Sequence, residues 1–164
     1  MAEAEFRKAF QIYNASGNRP VQAARALRGL ADLARSNKEY GKAVELFQQA
    51  ADLFAKDPTE NYRQGLSLEA VGDIYVELKA DEQAAAFYEK AAAYARDRTS
   101  IDRRGEARAV KALALIYQRR KDYAGALKLL ERSAGLYNEA GNSREKDEVE
   151  LLIRDIKAQM SNPH

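Results

Sequence analysis

Among 164 residues there is no cysteine, no tryptophan and a single histidine, with only three prolines and nine glycines. Without cysteine there is no disulfide framework, no thiolate nucleophile and no thiolate metal site. The one histidine, His164, stands in the terminal Ser-Asn-Pro-His stretch, so no histidine triad or multi-histidine metal site can be assembled. No metal and no other cofactor is expected, and with no glycine-rich phosphate loop the chain is read as a non-enzyme. Scarce proline and glycine with abundant alanine suit helices and starve strands, which makes the fold class all-α. No apolar run approaches the ~20 residues of a membrane-spanning helix, and charges interrupt the first ten residues where a signal peptide would be apolar. Membrane insertion is therefore not expected, and the cytoplasm is the default location. Lys plus Arg (27) against Asp plus Glu (25) leaves a net charge of +2, too small for the overall field to imply a nucleic-acid partner.

What is present is a repeat. Leu27-x-x-Leu30-Ala31-x-x-Ala34, Leu68-x-x-Val71-Gly72-x-x-Tyr75 and Val110-x-x-Leu113-Ala114-x-x-Tyr117 begin 41 and then 42 residues apart. Each is followed by a second pattern: Ala43, Phe47, Ala50 and Phe54; Ala84, Tyr88, Ala91 and Tyr94; Ala126, Leu130, Ser133 and Tyr137. Spacings of three and four place each set on one helical face, so every unit is an antiparallel helix pair. Ala2, Phe6, Ala9 and Tyr13 extend the second pattern backwards by the same period. Eight helices are predicted, at about 2–14, 19–36, 39–56, 58–78, 81–97, 100–120, 123–139 and 143–160. Capping character is read at Asp57-Pro58-Thr59-Glu60, Thr99-x-x-Asp102 and Asn142-x-x-Glu145, and stops at Gly17 and Gly141. Residues 1–164 are read as one domain: an orphan second helix at 2–14, repeats at 20–57, 58–98 and 99–140, and a capping helix at 143–160. The recurring column Tyr13, Phe54, Tyr94 and Tyr137 is assigned to packing between repeats.

This combination, a large residue, then leucine-glycine and tyrosine, then alanine, aromatic, alanine, resembles the tetratricopeptide repeat (TPR). The usual unit has 34 residues. The longer copies here are similar to those of kinesin light chains, the soluble attachment proteins of vesicle fusion and bacterial tetratricopeptide regulators. The resemblance implies a right-handed α-solenoid whose first helices line a concave groove, and a scaffold that binds a protein, peptide or helix there.

Mapped onto the first helices, the groove-facing candidates are Arg28, Asp32 and Arg35 in the first repeat. In the second they are Tyr62, Leu66, Glu69, Asp73, Val76 and Glu77, an acidic stripe with apolar members. In the third they are Arg104, Arg108, Lys111, Leu115, Gln118 and Arg119, a basic one. The groove is expected to be bipolar along its length and to orient a partner of complementary charge, with the apolar members as anchors. The same charges are equally placed to neutralise one another across adjacent repeats. Chaperone-binding relatives clamp a C-terminal carboxylate with lysine and asparagine. The matching positions here pair Arg28 with Asp32, Glu69 with Asp73 and Lys111 with Leu115, which argues against such a clamp.

Arg96, Arg98, Arg103 and Arg104, with Arg119, Arg120 and Lys121, are the basic clusters, but Asp97 and Asp102 interrupt them and nucleic acid is not expected as a partner. Phe6, Phe10 and Tyr13 lack a preceding helix to cover them, so a homodimer through this N-terminal helix is a further expectation. The alternative to a peptide-binding scaffold is a regulatory or oligomerisation segment of a larger protein, such as a transcription regulator, acting by self-association.

Overall fold

The computed structural model describes residues 2–17, 19–96 and 102–161. Among these are eight α-helices and no strand: α1 (Ala2–Ala15), α2 (Pro20–Ser36), α3 (Tyr40–Phe54), α4 (Asn61–Glu77), α5 (Asp81–Ala95), α6 (Arg103–Arg119), α7 (Tyr123–Glu139) and α8 (Ser143–Ser161). Helices α2 and α3, α4 and α5, and α6 and α7 pack as hairpins. Each hairpin also packs on the next through α3 with α4 and α5 with α6, while α1 lies on α2 and α8 on α7. The result is an α-solenoid, as the repeat implied.

The hairpins close because small residues stand where helices cross. Ala31, Ala43, Ala84, Ala114 and Ala126 are all fully buried, as are Phe47 and Leu130 beside them. Such pairing lets axes approach toward the short end of the ~8–10 Å range. At Gly72 the fit is tighter still, since a Cβ there would lie 2.8 Å from the Tyr88 ring. Gly29 does the same for α1: a Cβ would meet the Phe6 ring at 2.5 Å, so Phe6 is partly covered by α2 rather than left without a neighbour.

Several boundaries differ from expectation, each for a local reason. Residues Pro58–Glu60 form a 3₁₀ turn, not the start of a helix, because the Asp57 carboxylate accepts from the Thr59 backbone N–H at 3.0 Å and its hydroxyl at 2.7 Å. Helix α6 starts at 103 because Asp102 is itself the cap, accepting from Gly105 N–H at 2.8 Å. Asp122 caps α7 through Gly125 N–H in the same way. Thr99, expected as a cap, lies outside the described residues. Tyr94 does not join the buried column of Phe54 and Tyr137: it is 38% exposed and borders a cleft between α3 and α5.

The turns within the hairpins share one geometry. Backbone N–H groups of Glu39, Ala80 and Asp122 donate to the carbonyls of Ala34, Tyr75 and Tyr117 at 2.8–3.0 Å, and Asn142 donates likewise to Tyr137. These are Schellman closures, which need a left-handed residue just before the donor. Gly141 supplies it at φ 70, but the hairpins use Lys38, Lys79 and Lys121 at φ 62, 57 and 63. Gly17 (φ 65) follows α1, as the sequence indicated. A side chain in this region costs about 1 kcal/mol that glycine avoids. Lys79→Gly should therefore raise stability by roughly 0.5–1 kcal/mol in urea unfolding, and Lys38→Gly and Lys121→Gly by similar amounts.

Candidate functional site

Helices α2, α4, α6 and α8 stand side by side along one wall, and arginine–carboxylate pairs bridge each neighbouring two. Arg35 of α2 reaches α4, with its Nη2 2.5 Å from Glu77 Oε1 and its Nη1 3.6 Å from Asp73 Oδ2. Arg108 of α6 forks onto Glu69 of α4, Nε at 2.5 Å and Nη2 at 2.9 Å. Arg104 of α6 donates to Glu145 of α8 at 2.9 Å. The expected acidic and basic walls are thus joined to one another: of the two arrangements the charge pattern allowed, mutual neutralisation is the one formed. The reason is reach, because an arginine spans one helix spacing and equivalent turns of successive first helices lie at the same height.

Environment separates the two glutamates of α4. Glu77 is more exposed, and the hydrogen bond from Arg35 holds its carboxyl below the ordinary value. Glu69 is deeper, and burial pushes its carboxyl up despite Arg108. The Tyr88 hydroxyl rises from the α5 side and donates to Asp73 at 2.7 Å; burial, then the neighbouring Asp73 carboxylate, raises it well above the ordinary phenol range.

The remaining predicted residues stand apart from these bridges. Leu66 and Val76 are half-buried, Leu115 is exposed, and Tyr62 lies 4.8 Å under the Arg63 guanidinium. Lys111 Nζ stands 6.0 Å from the Tyr137 ring. Arg28 is half-buried with Nε unpaired among the described residues, and Asp32 is exposed one turn on. Arg119 leaves this group: it pairs with Asp81 at the start of α5 at 2.5 Å. Tyr88, Asp81 and Glu145 were not among the candidates. Glu145 could have been found, since it follows Arg104 by one repeat period.

Near the α5–α6 connection the described arginines of the basic cluster are paired with carboxylates. Arg96, Arg103 and Arg132 converge on Glu106, which is 1% exposed: Arg96 Nε lies 3.1 Å and Arg103 Nη1 3.6 Å from its oxygens, with Arg132 in direct contact. Arg103 also pairs with Glu139 at 2.9 Å. Arg98 and His164 lie outside the described residues. Among the described residues no cluster of histidine, aspartate or glutamate is arranged to hold a metal, and no helix is long and apolar enough to cross a membrane.

On α1, Phe6 remains 36% exposed over Gly29 and Ile12 is 56% exposed, while Phe10 and Tyr13 are half-buried. Phe10 borders a cleft of about 320 Å³ between α1, α2 and α3, with Leu27, Leu30 and Leu46.

The Arg35–Glu77 pair carries a pH dependence with a definite sign. A carboxylate held low in the fold, such as Glu77, contributes stability above its ordinary value and loses it as pH falls through the folded value. Replacing Arg35 by glutamine should move the Glu77 carboxyl midpoint upward toward the ordinary carboxylate range, read by carboxyl NMR titration, and leave the Glu69 midpoint unchanged.

Residues 1–101 match the family described as soluble NSF attachment protein, SNAP, and residues 109–144 match the tetratricopeptide repeat. No curated protein matches the sequence significantly. Similar solved structures include the N-terminal domain of stress-induced protein-1 from C. elegans, with TM-score 0.62 and 23% identity over 81% of this chain and 98% of that one. The apo form of RapI has TM-score 0.74 at 17% identity over 92% of this chain, which spans 53% of RapI. A Podosopora anserina protein of kinesin light chain type with nearly identical TPR-like repeats has TM-score 0.59 at 17% identity, over 96% of this chain and 86% of its own. At these identities the likeness is one of fold, the helical repeat solenoid. With its first 101 residues matching, the chain belongs to the soluble NSF attachment protein family, within the tetratricopeptide-like repeat proteins.

Proposed function

We propose that this chain is a non-catalytic scaffold that holds a peptide or helical segment of a protein partner along the first-helix wall, acting as the inner groove of the solenoid. Its repeats are taken as 20–57, 58–98 and 99–140, flanked by the helices at 2–14 and 143–160 in one domain, and its location as the cytoplasm. The observation that carries the reading is the wall itself: aligned first helices, cross-linked by ion pairs, with Leu66, Val76 and Leu115 not fully buried among them. Because Glu69, Asp73 and Glu77 already have arginine partners, the apolar residues supply the binding energy and the charges supply alignment. The soluble NSF attachment protein and tetratricopeptide folds are those of adaptors rather than catalysts, which supports the non-enzymatic reading.

A second reading, self-association through α1, is favoured by one observation, the exposure of Phe6 and Ile12 on that helix. It suits a regulatory or oligomerisation segment of a larger protein.

The two readings separate by experiment. Leu66→Asp with Leu115→Asp should weaken partner capture from native lysate at least about tenfold, or roughly 1.4 kcal/mol, with circular dichroism unchanged; undiminished capture rejects the groove. Reversing one bridge as Glu69→Arg with Arg108→Glu keeps the cross-link and should weaken capture less than the leucine pair does. Under the second reading, light scattering shows a dimer that Phe6→Glu converts to monomer. A wild-type monomer ends that reading.

A further inference from the structure

One position differs in kind among the three hairpins. Gln64 of α4 corresponds by the repeat period to Ala23 of α2 and to Glu106 of α6, and Lys90 of α5 corresponds to Gln49 and to Arg132. In the third hairpin Arg132 donates to one carboxylate oxygen of Glu106, Oε1, while among the described residues Oε2 has only Arg103 at 3.6 Å. In the first the position is alanine and needs no partner. In the second Gln64 is 5% exposed, and no described residue hydrogen-bonds its side-chain amide. Lys90 does not serve it, since its Nζ lies 5.0 Å from the centroid of the Phe87 ring.

Gln64 lines a cleft of about 340 Å³ between α3 and α5, with Leu68 beside it, Phe87 and Tyr94 on the α5 side, and Asp52 across on α3. Volumes of this order accept a small ligand or one or two residues of a chain. A primary amide offers a donor and an acceptor side by side. The complement of that pair is the adjacent C=O and N–H of an extended backbone, whereas a helix has both groups engaged internally. Leu68, Phe87 and Tyr94 provide the apolar surface for one side chain, and Asp52 and Lys90 place opposite charges on the two rims, which selects a chain direction.

We propose that the cleft between α3 and α5 is a second peptide-binding site, in which Gln64 pairs with the backbone of an extended segment of a partner and the aromatic wall receives its side chain. The site lies between second helices, away from the first-helix wall, and does not depend on the reading proposed for that wall.

The probe is N-acetyl-phenylalanine amide, one residue with both backbone amides and an aromatic side chain, titrated at millimolar concentration into the isotopically labelled full chain. Saturable shifts are expected at the Gln64 side-chain NH₂ and at the backbone amides of Ala51 and Leu68. Gln64→Ala copies the residue that the first hairpin carries, and should weaken binding roughly tenfold. Gln64→Glu with Lys90→Arg copies the ion pair of the third hairpin, closes the cleft and should also lose the probe; it carries the test should the alanine variant fold poorly. Absence of saturable shifts, or equal affinity in both variants, overturns the proposal. Binding of free adenine with the same Gln64 dependence, without binding of the blocked amino acid, overturns the assignment to peptide.

Discussion

The close approach of helices at a column of small residues is the constraint on which everything else rests. Ala31, Gly72 and Ala114 leave room for Phe47, Tyr88 and Leu130, and the large side chain completes the seam that the small one opens. A hairpin closed in this way still has an uncovered apolar side, and the next hairpin covers it. The same device seats α1, where Gly29 receives Phe6. Stability therefore accumulates by neighbour contacts, and no central core is needed.

Once the hairpins stack at one helix spacing, the electrostatics follow. Neighbouring turns of successive first helices face one another at a distance an arginine can bridge, so opposite charges one period apart meet in Arg35 with Glu77 and Arg104 with Glu145, and Arg108 reaches Glu69 from one turn before the equivalent position. The wall is thereby held in register by its own charges, and its surface character is set by what remains between the bridges. On the second-helix side, repetition makes departures visible. Ala23, Gln64 and Glu106 occupy one place in three units, yet only Glu106 is given arginines to bind.

The helices and their pairing were legible because periodicity is a local property: residues three and four apart share a face whatever lies beyond them. Gly17 and Gly141 were equally plain as left-handed stops. Lys38, Lys79 and Lys121 were not, because lysine carries no preference for that conformation and is held there by the closure of the hairpin. Tyr94 was misread as core because a repeated column implies equivalent surroundings, whereas the surface beside α5 opens into a cleft. Asp57 caps as its sequence context implies, with Pro58 in the first turn, but the turn it caps is 3₁₀ and the α-helix begins only at Asn61.

By itself the amino-acid sequence determined the all-helical class, the 41–42-residue period, the residues that pack within each hairpin and the set of charges available to the first-helix wall. Only the tertiary structure decided how those charges are spent, which buried polar groups find partners and which do not, and where clefts remain between second helices. The physical reason is range: helix formation and facial pattern depend on neighbours within a turn or two, whereas an ion pair or an unpaired amide depends on what another unit, some forty residues away, brings within a few ångströms.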